Sequence, residues 1–243
     1  MPTTEDPITE LSGELALAAR TLFQAGGVAA TLQSVVDLAE TSIGGCEYVG
    51  VMLTEGALAG VRVASDPLVD HLDDLQRDLD DGATLEVINR GGALYAEDLE
   101  SDFRWPRFAP EAVSSGIRSL LAIRLSAGDT LGAITLYSRY PAAFGTSDLA
   151  NASSFATVAA HALSVAHVRE TAERRLEDLQ RALSTRELIG QAQGILMERD
   201  RITAERAFEI LRIASQRLNV KLLEVAHQLV ETGERPLPEN LSP

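Results

Sequence analysis

Between Gly145 and Gly190 the chain contains neither glycine nor proline, so nothing in those residues ends a helix that has once begun. A continuous helix over Ser147 to Leu188 is roughly 60 Å long at about 1.5 Å per residue, longer than a small domain is wide, and its far half is expected to project. Within that half Val165, Ala172, Leu176, Leu179 and Leu183 follow a 3.5-residue stripe set among Arg169, Glu170, Glu173, Arg174, Arg175, Glu177 and Asp178. Such a stripe pairs with a second copy of itself, which predicts a homodimer; a solvated linker helix is the alternative.

Before this helix the pattern is mixed. From Leu11 to Ile43 apolar residues recur at helical spacing on either side of Gly26 and Gly27, predicting two amphipathic helices. Residues 46–54 and 57–64 are rich in β-branched side chains and flank Glu55-Gly56, as an antiparallel hairpin requires. A short acidic helix is expected over Asp70 to Leu79 and a short strand over Ala93 to Tyr95. Ser119 to Leu125 and Thr130 to Tyr137 form a second hairpin around Ala127-Gly128-Asp129. The five strands make one antiparallel sheet. After the long helix three helical patterns follow, Arg186 to Glu198, Ala204 to Leu218 capped by Thr203, and Lys221 to Glu231, with Gly233 and Pro236 as the stop. The fold class is therefore α+β: a helix-flanked antiparallel sheet, a long helical linker and a C-terminal three-helix bundle.

Charge divides the chain the same way. The net charge is −15, but residues 1–180 carry 12 of the 21 basic and 27 of the 36 acidic side chains, whereas residues 181–231 carry 8 bases and 7 acids. A polyanionic partner is repelled by the front and tolerated by the back. Lys221 is the one lysine; the other bases are arginine, whose forked donors suit phosphate. The acidic first residues do not read as a signal peptide, and Phe155 to Val168, the most apolar stretch, is interrupted by His161, Ser164 and His167, so a soluble cytoplasmic protein without a membrane span is expected.

Catalytic patterns are wanting. Neither a Gly-x-Ser-x-Gly elbow, a phosphate-cradling loop nor a zinc helix is present, and His161 and His167 lie six apart, off the spacing that aims two imidazoles at one metal. Cys46, the single cysteine, reads as a small buried hydrophobe. Accordingly no enzyme, metal or cofactor is expected. Phe103, Trp105 and Phe108 lie close together in a loop and either roof a small-molecule pocket or close the core.

Residues 186–233, with Ile189, Ala192-Gln-Gly194-Ile-Leu-Met197, Ala207-Phe208, Leu211-Arg212, Ala214, Asn219, Lys221-Leu222 and Val225-Ala226, resemble an ANTAR domain, a three-helix RNA-binding module of bacterial transcription antiterminators. Residues 12–165, with Phe103-Arg-Trp-Pro106, Gly116-Ile-Arg-Ser119 and Leu131-Gly-Ala-Ile-Thr-Leu136, resemble a GAF sensor domain, leaving 166–185 as a coiled-coil linker. The order is similar to that of an actinobacterial regulator. The resemblance implies binding to a nascent transcript with two stem-loops closed by hexanucleotide loops, which prevents an overlapping terminator hairpin, and implies an unknown small-molecule effector on the sensor. Arg212, Arg217 and Lys221 are the leading candidate RNA contacts, Arg199, Arg201 and Arg206 a second group, and Asn219 a base reader or a turn residue. Gly194 on a helix implies a close approach, by RNA or by another helix. Two departures reduce positive charge: Gln193 stands where relatives often have lysine, and Val220 where a basic residue is common. The rival reading is a dimeric sensor or scaffold that signals through protein contacts without RNA.

Overall fold

The computed structural model describes residues 7–55, 60–128 and 130–234. They divide into two compact units, with the boundary after Thr171. The first opens with α1 (Pro7–Gln24) and α2 (Val28–Ser42), separated at the expected glycines. β1 (Tyr48–Glu55) and β2 (Arg62–Ala64) pair antiparallel, with Val51 opposite Val63; the second strand is shorter than its sequence pattern, and Gly56 of the expected turn lies outside the described residues. α3 (Pro67–Leu79) starts where Asp66 accepts a hydrogen bond from the Leu68 N–H at 2.8 Å, an acidic cap preceding a proline at the first turn.

Two short helices follow that the periodicity did not reveal. α4 (Ala83–Arg90) occupies what reads as loop, and α5 (Phe108–Ser114) lies within the aromatic segment. β3 (Ala93–Ala96), β4 (Ser119–Ala127) and β5 (Thr130–Ser138) complete an antiparallel sheet of order β2-β1-β5-β4-β3. Asp129 of the second expected turn lies outside the described residues.

Strand alternation sends residues to two cores. Val49, Val51, Leu53, Leu121, Ile123, Leu125, Ile134 and Leu136 face α1, α2 and the first turns of the long helix, where Phe155, Ala159 and Leu163 are buried. Met52, Leu120, Ala122, Ala133 and Tyr137 face Val69, Leu72, Val87, Phe108 and Ala112 of α3 to α5 and Trp105 of the loop before α5.

The long helix is α6 (Thr146–Asp200), 55 residues. It absorbs the pattern read as a separate helix from Arg186, and neither Gly190 nor Gly194 interrupts it. One window of α6 is long and apolar enough to cross a membrane by length and composition; 39% of that window is buried, against the sheet. α7 (Ala204–Leu218) begins at the expected Thr203 cap, and α8 (Leu222–Thr232) ends at Gly233 in the left-handed conformation. Ala192, Leu196, Ala207, Leu211, Ala214, Val225, Ala226 and Leu229 form the bundle core.

Candidate nucleic-acid interface and sensor core

In the C-terminal unit the charged side chains stand on the outside of a small apolar core. α7 buries Ala207, Leu211 and Ala214 on one face. At about 100° per residue, Arg206 and Arg217 share a second face, eleven residues apart, while Arg212 lies about 140° from Arg217 and shares a face with Phe208. The expected leading group thus divides between two faces of α7.

Arg212 grips Glu209 through two hydrogen bonds, at 2.9 and 2.6 Å, which hold the Glu209 carboxyl below its ordinary range. Arg199 donates to the Gly233 carbonyl at 2.8 Å, and Arg201, left-handed at φ 57°, pairs with Glu198 at 3.3 Å. Asn219 is the left-handed residue that ends α7 (φ 54°), its N–H returning to the Ser215 carbonyl, so the turn role is present. Arg217 and Lys221 are exposed on either side of this turn. Gln193 donates to the Ala204 carbonyl at 3.0 Å, bridging α6 to the start of α7.

The same unit carries an open groove of about 600 Å³ between α6 and α7, lined by Asp178, Arg181, Ala182, Thr185, Arg186, Ile189, Gln193 and Phe208. On another face of the same stretch of α6, Leu176, Leu179 and Leu183 are 57%, 63% and 67% exposed.

In the N-terminal unit the aromatic segment is divided. Trp105 and Phe108 are buried in the second core, and Phe103 is 87% exposed. The Trp105 indole N–H donates to Glu86 at 2.9 Å, and the Arg104 guanidinium lies over its ring at 4.4 Å. Asp81 accepts from the backbone N–H of both Arg107 and Phe108, fixing the start of α5.

Beneath these residues lies a buried polar network between α3, α4 and the sheet. Gln76 Nε2 donates to Thr84 Oγ1 (2.9 Å) and to Tyr137 Oη (3.1 Å), while Gln76 Oε1 accepts from the Thr84 N–H (2.9 Å). Thr84 and Thr135 share a hydroxyl bond at 2.8 Å, and Tyr137 donates to Asp73 at 3.4 Å. Each of these side chains is buried, as satisfied polar groups can be. Gly82 makes room: a Cβ there would lie 2.3 Å from Gln76 Oε1. Burial pushes the Asp73 carboxyl up to about 7, against the opposing charge of Arg62, whose guanidinium is engaged with Asp74. The sequence signal for this network was polar Asp73 and Gln76 on the apolar face of α3, four residues after Val69 and Leu72 respectively. Cys46 is half-buried, its thiol pushed up to about 12 by burial and by Glu40. Among the described residues no three His, Cys, Asp or Glu side chains converge to hold a metal ion.

Comparison with known proteins fits both units. A GAF domain model matches residues 26–164, and an ANTAR domain model matches residues 177–230. No curated protein matches the chain. Solved structures similar to it include the free methionine-R-sulfoxide reductase of Neisseria meningitidis, at 17% identity and a TM-score of 0.49 over 69% of this chain and 96% of that one. The GAF domain of a phosphoenolpyruvate-protein phosphotransferase from Coxiella burnetii is similar at 13% identity and a TM-score of 0.49, over 68% and 99% of the two chains. The corresponding Acinetobacter domain is similar at 11% identity and a TM-score of 0.47, over 67% and 98%. GAF and ANTAR are signalling and regulatory domains, not catalytic ones, and an ANTAR domain is in general an RNA-binding antitermination module. The sheet with its flanking helices is accordingly a GAF domain and the C-terminal helical bundle an ANTAR domain, and the chain belongs to the GAF domain family, with an ANTAR domain following in sequence.

Proposed function

We propose that this protein is a cytoplasmic antitermination regulator in which the state of a GAF sensor (12–165) is passed through a helical linker (166–185) to an ANTAR bundle (186–233) that grips paired stem-loops with hexanucleotide loops in a nascent transcript. The observation that carries this reading is the segregation of charge: residues 1–180 hold 27 acids against 12 bases, while residues 181–231, with 8 bases against 7 acids, form a bundle of the antiterminator family that presents exposed arginines and Lys221 around a small closed core. Arg212, Arg217 and Lys221 serve as phosphate contacts, Arg199, Arg201 and Arg206 support them, and Asn219 shapes the turn between them. Arg212 exchanges Glu209 for phosphate at little cost, because exposed ion pairs are worth little.

The test is filter binding of the full chain to a paired hexaloop RNA and to a scrambled one across a salt series. The paired RNA should bind more tightly, and alanine at Arg212, Arg217 and Lys221 together should flatten the slope of log affinity against log salt by about 0.7 to 0.9 for each phosphate no longer neutralised. Equal binding to the scrambled RNA abandons antitermination; an unchanged slope in the triple variant moves the RNA-binding face elsewhere.

Two stem-loops call for two bundles, and the exposed Leu176, Leu179 and Leu183 supply a seam for a second copy. Gly190, Gly194 and Met197 continue the same face of α6 toward its end. Leu176→Glu together with Leu179→Glu should halve the mass seen by light scattering. Retention of the dimer mass in that variant refutes the seam. The closed polar network of the sensor favours a second reading, a dimeric scaffold signalling through protein contacts. A thermal-shift screen that finds no small-molecule effector supports it, whereas a bound effector at 100 times its dissociation constant adds roughly 2.7 kcal/mol.

A further inference from the structure

The groove between α6 and α7 lies outside the residues so far assigned to RNA. Its floor is Ile189 and the ring of Phe208, 40% exposed although α7 already buries Ala207, Leu211 and Ala214 without it. Ala182 and Thr185 leave space above the floor, and Arg181, Arg186 and Asp178 form the rim. Arg181 pairs with Asp178 at 3.0 Å, but both side chains are 72% exposed, so the pair yields readily to a phosphate. Gln193 donates one N–H to the Ala204 carbonyl and keeps Oε1 for a polar edge. On α7, Arg212 lies one turn beyond Phe208 on the same face. Around α6 the groove residues centre roughly 110° from Leu176, Leu179 and Leu183, so a helix pair formed along the leucines leaves the groove accessible.

From this arrangement we infer that the groove seats an unstacked base of a single-stranded RNA loop. Phe208 is the stacking platform, Gln193 meets the base edge, and Arg186 with Arg181 meets the adjoining phosphates. The inference rests on the RNA-binding reading and deepens it by naming where a loop base is read. An apolar ring framed by guanidinium groups matches a nucleotide, planar on one side and anionic on the other. The volume suits a base with its sugar and excludes a duplex. Gln193 contributes edge-on hydrogen bonding without a charge.

The experiment is fluorescence anisotropy of the full chain with a paired stem-loop RNA carrying hexanucleotide loops, and with a duplex of the same length lacking loops. Single loop positions carry 2-aminopurine in turn. Phe208→Leu keeps the apolar volume and removes the ring face; it should weaken looped RNA roughly tenfold, leave the duplex unchanged and abolish the 2-aminopurine change at one position. Phe208→Tyr should bind as the parent does. If Phe208→Leu retains both affinity and the fluorescence change while Arg217→Ala with Lys221→Ala weakens looped RNA, the groove assignment falls and RNA binding stands. If the parent shows no preference for looped RNA, the RNA reading falls and the groove with it. A changed dimer mass with unchanged RNA affinity reassigns the groove to protein contact. Should Phe208→Leu unfold the bundle, Arg186→Gln on the exposed rim decides: a salt slope lower by about 0.7 supports the site, and an unchanged slope overturns it.

Discussion

In the sensor unit, polar side chains are taken inside and satisfied: Gln76 alone joins a helix, a helix start and a strand, with Tyr137, Thr84 and Thr135 closing the network. In the bundle the polar side chains stay outside, and the interior is small and apolar, with Ala192, Ala207, Ala214 and Ala226 among its buried residues. The first arrangement fixes one packing of three layers, since an unpaired member of such a network is costly. The second leaves a thin core whose stability is easily exhausted but whose surface is free for a partner. The two units are thus of unequal robustness, the weaker one carrying the proposed RNA-binding surface.

The largest effect is expected where that inequality is tested directly. Leu229→Ala removes a fully buried side chain from the bundle, at a cost of about 2 to 5 kcal/mol, comparable with the whole stability of some fifty residues. Hydrogen exchange should then report loss of protection over 186–233 with the sensor still protected. Leu121→Ala, an equally buried leucine on the sheet, should lower the melting temperature with both units still folded. Loss of protection across both units together in Leu229→Ala would mean that they fold as one, and the comparison would fail.

A second, smaller effect separates the two interiors by pH. The Asp73 carboxyl, raised by burial to about 7 in the folded chain, keeps its proton where the unfolded chain, near 3.9, releases it. The stabilisation relative to alkaline solution is therefore complete below about pH 4 and lost as pH rises through 7, by at most about 1.4 kcal/mol per pH unit. Carboxylates held low by arginine, such as Asp98 and Asp102, change stability only below this window, in the opposite sense. Asp73→Asn keeps an acceptor for Tyr137 and should flatten the melting temperature between pH 4 and 7 while raising it at pH 8. Parallel pH profiles for the two proteins would show that Asp73 is not the group that titrates.

The unequal legibility of the two units has the same origin. α7 and its Thr203 cap were readable because a small bundle stores its pattern locally, one apolar stripe per helix. α4 and α5, with 8 and 7 residues, are too short to display a period, and Pro110 within the first turns of α5 reads as loop until Asp81 is seen anchoring it. Trp105 and Phe108 could be read as pocket roof or, more readily, as core, and only the third dimension places both in the core with Phe103 outside. The polar network left only the trace of Asp73 and Gln76 on the apolar face of α3, since its members Asp73, Gln76, Thr84, Thr135 and Tyr137 come from three segments that meet only in the folded chain. At the bundle, spacing could put Arg212 on one face of α7 with Phe208 but could not show the groove beside them, because the groove needs α6 for its other wall.

The smallest effect concerns the seam and turns on its sign. Gly194 lies in mid-helix, where glycine costs about 1 kcal/mol relative to alanine, and a Cβ built there meets nothing within 4 Å. Nothing within the described chain thus requires glycine at this position, and the same holds at Gly190, one turn earlier. Both lie on the face of α6 that carries Leu176 and Leu183, where a second helix approaching closely would require small residues. In a chain held monomeric by Leu176→Glu and Leu179→Glu, Gly194→Ala should raise bundle stability by about 1 kcal/mol, the full difference in helix propensity. In the otherwise unchanged chain, the same substitution should weaken the dimer, seen as a larger dissociation constant by sedimentation. If Gly194→Ala strengthens both forms alike, nothing packs on that face, and the seam ends before Gly190. If it leaves the dimer intact and lowers only RNA affinity, the approach that requires glycine is made by RNA, and the recognition surface extends around α6 from the groove to the seam.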